Sequence, residues 1–262
     1  MVDDLRSFAS FAQVLAEAAR RETLPGFGSS GPVENKLASG FDPVTAADRN
    51  CERAMRRLIG EHFPEHGVSG EEFGDRTGAS ALSWSLDPID GTRAYICGLP
   101  SWTTLIALLD AGEPVLGLID APRLDELCLG YGDTAVIISA GSERPLATSG
   151  CRTLAEARLA TTDPFLFAGV EAEGFDRLRR SVRLTRYGLD GYGYARLAAG
   201  GLDLVAESGL KPHDYLALVP LVRAAGGAVS NWSGGSDLSA GQIVAAASEP
   251  LIEEACRLLC GG

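Results

Sequence analysis

No apolar run in this 262-residue chain approaches the roughly 18 residues that a membrane-spanning helix needs; stretches such as Leu105 to Leu109 and Val136 to Ile138 are among the longest. The start, Met1-Val2-Asp3-Asp4-Leu5, has no basic segment and no small-residue cleavage site, so the expectation is a cytoplasmic protein with no membrane partner. The six cysteines (Cys51, Cys97, Cys128, Cys151, Cys256, Cys260) form no C-x-x-C pair, and His62, His66 and His213 form no H-E-x-x-H unit. That points away from zinc and redox chemistry and leaves hard, oxygen-seeking ions. Basic residues are also scarce: 23 Lys and Arg stand against 35 Asp and Glu, a net charge of −12. Such a chain repels nucleic acid, and the one basic cluster, Arg177, Arg179, Arg180, Arg183 and Arg186, reads as a solvated face. An anionic substrate could approach only with cations in between, and metal ions are the natural intermediary.

The hydrophobic pattern divides the chain in two. Leu5, Phe8, Ala12, Leu15 and Ala19 predict a helix over residues 3–21, and residues 24–43, rich in Gly, Ser and Pro, read as a loop. A second helix starts near Thr45 to Asp48, buries Cys51, Met55, Leu58 and Ile59, and stops between Gly60 and Pro64. From Leu82 to Ile138 short β-like runs follow one another, with Asp110 to Pro114 as a hairpin turn. After a polar stretch, Ser139 to Gly150, strands and helices alternate: strands near 158–161, 203–207, 228 and 244, and helices near 175–180, 192–199, 212–225 and 250–259. The expectation is an α+β subdomain over 1–145 and an α/β subdomain over 146–262.

Four acidic clusters fall at strand ends or helix starts: Asp42-Pro-Val-Thr-Ala-Ala-Asp48, Gly70-Glu71-Glu72, Asp87-Pro-Ile-Asp90-Gly-Thr92, and Lys211-Pro-His-Asp214. In the third, a rigid proline separates two aspartates, so both carboxylates and the Ile89 carbonyl can be aimed at one ion, and Gly91 lets main-chain amides approach a phosphate. Each cluster also has an ordinary reading. Asp87 to Thr92 can be a plain Asp-Pro/Asp-Gly turn, Thr45 to Asp48 a helix capping box, Glu71 and Glu72 a solvated loop, and Asp214 an acid favoured in the first turn of a helix. Together, however, four or five converging carboxylates would repel one another by several kcal/mol unless cations lie among them. The reading is a site for two or more Mg²⁺ ions acting on a phosphoryl group. Glu71 is assigned to the metal and Glu72 to a supporting place.

These motifs, in this order and over the chain from about residue 5 onward, resemble the inositol monophosphatase superfamily of Mg²⁺-dependent phosphatases. Within it, Asp90-Gly-Thr-Arg93-Ala-Tyr-Ile-Cys-Gly-Leu-Pro100, Gly193-Tyr194 to Gly200, and Leu210-Lys-Pro-His-Asp214 are most similar to the histidinol-phosphate phosphatase branch. The resemblance implies a layered αβαβα sandwich, a homodimer, and two or three Mg²⁺ ions held by Glu71, Asp87, Asp90, Asp214 and the Ile89 carbonyl. It further implies that Asp48 and Thr92 position the attacking water, with Glu71 among the catalytic groups, and that the Gly91 and Thr92 amides hold the phosphate. Glu207, and more weakly Asp190, would contact the organic half of the substrate. The implied reaction is hydrolysis of L-histidinol phosphate, with inositol monophosphate or another small sugar or nucleotide phosphate as the alternative substrate. A regulatory binding protein on the same fold is a third reading. His213 stands where relatives often carry an aromatic residue, and no role is transferred to Lys36.

Overall fold

A computed structural model describes residues 2–28, 34–35 and 43–261. Lys36 and Asp42, both singled out above, lie outside the described residues, as does much of the loop expected over 24–43. The chain opens with α1 (Val2–Thr23), a two-stranded ribbon of β1 (Glu34–Asn35) and β2 (Pro43–Val44), and α2 (Ala46–His62). A sheet of seven strands follows: β3 (Gly67–Gly70), β4 (Leu82–Asp90), β5 (Thr103–Asp110), β6 (Glu113–Ala121), β7 (Glu126–Tyr131), β8 (Thr134–Ser139) and β9 (Ser142–Pro145), in that spatial order. Only β3 and β4 run parallel; the others form the expected meander. The short helix α3 (Thr92–Ile96) leaves the end of β4.

The second half carries β10 (Arg158–Thr161), α4 (Val170–Ser181), β11 (Leu184–Tyr187), α5 (Gly191–Ala198), β12 (Leu204–Glu207), α6 (Pro212–Tyr215), α7 (Leu218–Ala224), β13 (Ala228–Ser230), β14 (Ile243–Ala246) and α8 (Glu249–Cys260). Its five strands are ordered β11-β10-β12-β14-β13, parallel on one side of β12 and antiparallel on the other.

Side-chain alternation makes the layers. Ile106 and Leu108 of β5 pack with Trp84, Leu86 and the buried faces of α1 and α2. Leu105, Ala107 and Leu109 of the same strand face the other way, into a core shared with α5, α7 and one face of the second sheet. The second sheet's opposite face, including Leu204, Ala206, Val244 and Ala246, packs on α4 and α8. The order is therefore α, β, α, β, α, as the resemblance implied. A strand covered on both faces is apolar along its whole length, which is why β5 reads as a continuous hydrophobic run.

The structure differs from the sequence reading at several elements: β1 and the start of β2 fall where residues 24–43 read as a loop, and α3 was not expected. β3, β9 and β11 were not anticipated: Gly67-Val-Ser-Gly70 is too short and small for a periodic signal, and β9 and β11 are polar edge strands. The helix expected over 212–225 is two pieces, because Pro220 has no amide to continue the ladder onto the Leu216 carbonyl.

Candidate active site

The C-terminal end of β4 does not pair regularly. Asp87 is opposite Leu105, yet Asp90 is opposite Thr103, so one extra residue is accommodated between them. This bulge turns the Asp87-Pro88-Ile89-Asp90 segment out of the ladder, and Pro88, which has no amide to donate, sits within it. Neighbours then fix the segment. The Ile89 amide donates to Asp87 Oδ1 at 3.1 Å, and the Thr104 hydroxyl to the Pro88 carbonyl at 2.8 Å. Asp90 Oδ2 accepts from the Thr103 hydroxyl at 2.9 Å and from the Gly191 amide at 2.5 Å. The Thr92 hydroxyl donates to the Ile89 carbonyl at 3.0 Å.

Asp214 reaches the same place from α6, its Oδ2 held by the Lys211 amide at 2.7 Å. Carboxylate oxygens of Asp87, Asp90 and Asp214 all lie within 4.8 Å of one another. Two ligands of a Mg²⁺ ion at about 2.1 Å each can be no more than about 4.2 Å apart. The trio is therefore within a few tenths of an ångström of closing on an ion, and all its donors are hard oxygens. The electrostatics agree with that fit. Burial pushes Asp87 well above the usual carboxylate range, with Glu71, Asp90, Asp214 and Asp48 adding repulsion. Asp90 is raised well above it by burial and then by Asp190 and Asp214, and burial raises Asp214 although His213 pulls it down. A divalent ion would relieve these costs.

These residues open on a cleft of about 480 Å³ whose lining includes Glu71, Asp87, Ile89, Asp90, Gly91, Thr92, Asp190, Glu207 and Asp214. All the predicted site residues except Asp48 thus share one cavity. Asp48 is 1% exposed behind it, and its Oδ2 accepts from the amide and hydroxyl of Thr45 at 2.8 and 2.6 Å. The capping box read from the sequence is real, and the same carboxylate, raised first by burial, feels the charge of Glu71.

The cleft is acidic beyond the trio too. Glu207, at the end of β12, is 3% exposed; its Oε1 accepts from the Thr162 amide at 2.7 Å and hydroxyl at 3.0 Å, and its Oε2 from the Thr161 hydroxyl at 3.1 Å. Burial nevertheless pushes Glu207 up to about 7. Asp190 precedes α5 with φ 48° and ψ −142°, a backbone region that a side chain strains to occupy. Burial raises Asp190 to about 6 against the pull of Arg93. The two loops interlock closely. A Cβ on Gly91, itself at φ 82°, would come within 2.8 Å of the Asp190 carboxylate, and one on Gly191 within 2.6 Å of Asp90 Oδ2.

The sequence reading gave no role to Thr161 and Thr162, and none to Tyr194 beyond the motif that contains it. Tyr194 lines the cleft, its buried hydroxyl has no hydrogen-bond partner among the described residues, and burial with the Glu207, Asp90 and Asp214 charges pushes it far up. The spacing of Tyr194 from Asp190 on α5, one helical turn, is the signal that could have found it. His213 also lines the cleft, with Nε2 3.4 Å from Asp214 Oδ1.

A layered αβαβα fold in which two aspartates at a strand bulge meet a third from α6, beside the first amides of a short helix, suits a metal-dependent phosphatase. The inositol monophosphatase family profile matches residues 4–260, and the chain belongs to that family. It is 40% identical over 233 residues to the bifunctional phosphatase IMPL2, chloroplastic, of Arabidopsis thaliana, covering 88% of this chain and 66% of that relative, just under two thirds of its length. It is 36% identical over 239 residues to the histidinol-phosphatase of Mycobacterium tuberculosis, with 89% and 91% of the two chains covered. Among solved structures, an inositol monophosphatase from Zymomonas mobilis superposes with a TM-score of 0.84 at 38% identity, over 97% of this chain and 98% of the other. Among the described residues no helix is long and apolar enough to cross a membrane.

Proposed function

We propose that this phosphatase hydrolyses L-histidinol phosphate to L-histidinol and phosphate, with Mg²⁺ as its metal. The observation that carries the substrate assignment is a second pair of acids. Beyond the trio, the cleft lining holds two further carboxylates, Asp190 beside Gly91 and Asp90, and Glu207 at the end of β12, which a phosphate alone does not require. A ligand with an ammonium and an imidazole offers cations to both carboxylates, whereas a neutral polyol offers only hydroxyl donors. Similarity to histidinol-phosphatases, at 32% and 36% identity, supports the same reading.

Glu71, Asp87, Asp90, Asp214 and the Ile89 carbonyl would hold the metal. Bound Mg²⁺ supplies charge to polarise the phosphoryl group and lowers the pKa of water. The amides of Gly91 and Thr92, at the start of α3, receive phosphate oxygens, since the first amides of a helix have no partner within it. With its proton donated to the Ile89 carbonyl, the Thr92 hydroxyl turns a lone pair outward and orients the attacking water. Asp48, buried behind Glu71 and raised by burial, takes part in that placement from the base of α2. Assembly as a homodimer belongs to the same reading.

The test is a side-by-side determination of kcat/KM for L-histidinol phosphate and myo-inositol 1-phosphate in saturating Mg²⁺. A preference for the amino alcohol by about 100-fold, the value of two charge-assisted contacts, is expected. Preference for the inositol ester overturns the assignment.

A further inference from the structure

We propose that Glu52 is a positioning residue for the divalent-metal site, acting through the loop that carries Glu71; the inference rests on the reading of Glu71 as a metal ligand. Glu52 lies on α2 one turn beyond Asp48 and is fully buried. Its Oε2 accepts from the Glu72 amide at 2.8 Å, and its Oε1 from Arg56 Nε at 2.7 Å. Arg56 donates in turn through Nη2 to the Gly74 carbonyl. A third contact comes from the same helix, where the Arg53 guanidinium lies over the Phe73 ring at 5.3 Å. So α2 grips residues 72, 73 and 74, while the Glu71 amide is bound on the sheet side by the Leu86 carbonyl at 3.3 Å. Glu71 is therefore held at both edges, and the helix that holds it also begins with Asp48.

Gly70 completes the device. A Cβ there would fall 2.3 Å from Glu52 Oε1 and 2.5 Å from its Cδ, so the small residue is what lets the carboxylate pass beneath the loop. A buried ion pair is a weak source of stability, because desolvation offsets most of the attraction. What the Glu52–Arg56 pair supplies is direction: two hydrogen bonds that fix a loop backbone beside a group whose oxygen must be placed to within tenths of an ångström.

The experiment measures Mg²⁺ binding to chelator-treated protein by isothermal titration calorimetry, with Mn²⁺ binding followed by electron paramagnetic resonance. It compares wild type, Glu52→Gln, Glu71→Gln and the double variant. Glu52→Gln keeps an acceptor for the Glu72 amide but loses the charge that holds Arg56, and is expected to raise the Kd about tenfold. In the Glu71→Gln background the same change should add nothing, since its effect passes through Glu71; a merely structural role would multiply the two losses. A Glu52→Gln titration that superimposes on wild type, or multiplying losses, overturns the proposal while leaving Glu71 as a ligand. Unchanged binding in Glu71→Gln overturns both readings. Should Glu52→Gln fail to fold, Arg56→Lys, which keeps a cation beside Glu52 but loses the fork that also reaches the Gly74 carbonyl, carries the test, with a smaller weakening expected and an unchanged Kd overturning the proposal.

Discussion

The cleft holds two groups of acids, a trio and a pair, and they are built on opposite plans. In the trio, Asp87, Asp90 and Asp214 bring carboxylate oxygens within 4.8 Å of one another, so burial and mutual repulsion add up in one place. In the pair, Glu207 is held by three donors and Asp190 by a strained backbone and Arg93. The first arrangement calls for concentrated charge of +2, because carboxylates of one cluster cannot all ionise beside each other without it. The second holds its carboxylates on separate loops with their own partners and suits a singly charged organic group. Acidity alone thus says little about a ligand; the spacing between the acids says more.

Substitution in each group should separate these plans. The largest effect is expected for Asp90→Asn, about a thousandfold in kcat, from the several kcal/mol of charge stabilisation that a catalytic metal provides. Near-normal turnover in that variant would remove the metal site as described. Glu207→Gln should act on the substrate instead: about 10- to 100-fold lower kcat/KM on L-histidinol phosphate, with little change on p-nitrophenyl phosphate, which has no cation. Equal losses on both esters would erase the distinction between the groups.

Thermal unfolding in EDTA should show a smaller effect with a definite sign. An acid raised to about 7 in the fold, from about 4.3 when unfolded, makes the native state bind more protons between those values, so its contribution to stability falls as pH rises through that window. Glu207→Gln, which cannot ionise, should therefore melt above wild type at pH 8 and lose that advantage by pH 5. A gain independent of pH would show that Glu207 does not titrate there. The smallest effect is expected for Asp190→Gly. Glycine accepts φ 48° without strain, so stability should rise by about 1 kcal/mol, while kcat/KM for the cationic ester falls. A lower melting temperature would mean that the carboxylate, not the backbone, dominates at this position.

Much of this was legible from residue order. The capping box at Thr45 and Asp48, the meander after Leu82 and the four acidic clusters are local patterns, and local patterns survive without coordinates. The pairing of Asp90 with Thr103 across a bulge, by contrast, depends on register. No periodicity reveals that Thr161 and Thr162 would meet Glu207, because β10 and β12 become neighbours only when the second sheet forms. The small and polar strands β3, β9 and β11 were missed because their partners, rather than their own composition, make them strands. Glu52 carries no signal in the residue order, and only its depth gives it away.

Asp87 and Asp90 come from the first sheet, but Asp214 is supplied by a helix more than 120 residues further along the chain, between strands of the second sheet. A nascent polypeptide emerging from the ribosome therefore carries Asp87 and Asp90 well before Asp214 has been made. The trio is complete only once both halves of the chain have been made and folded against each other.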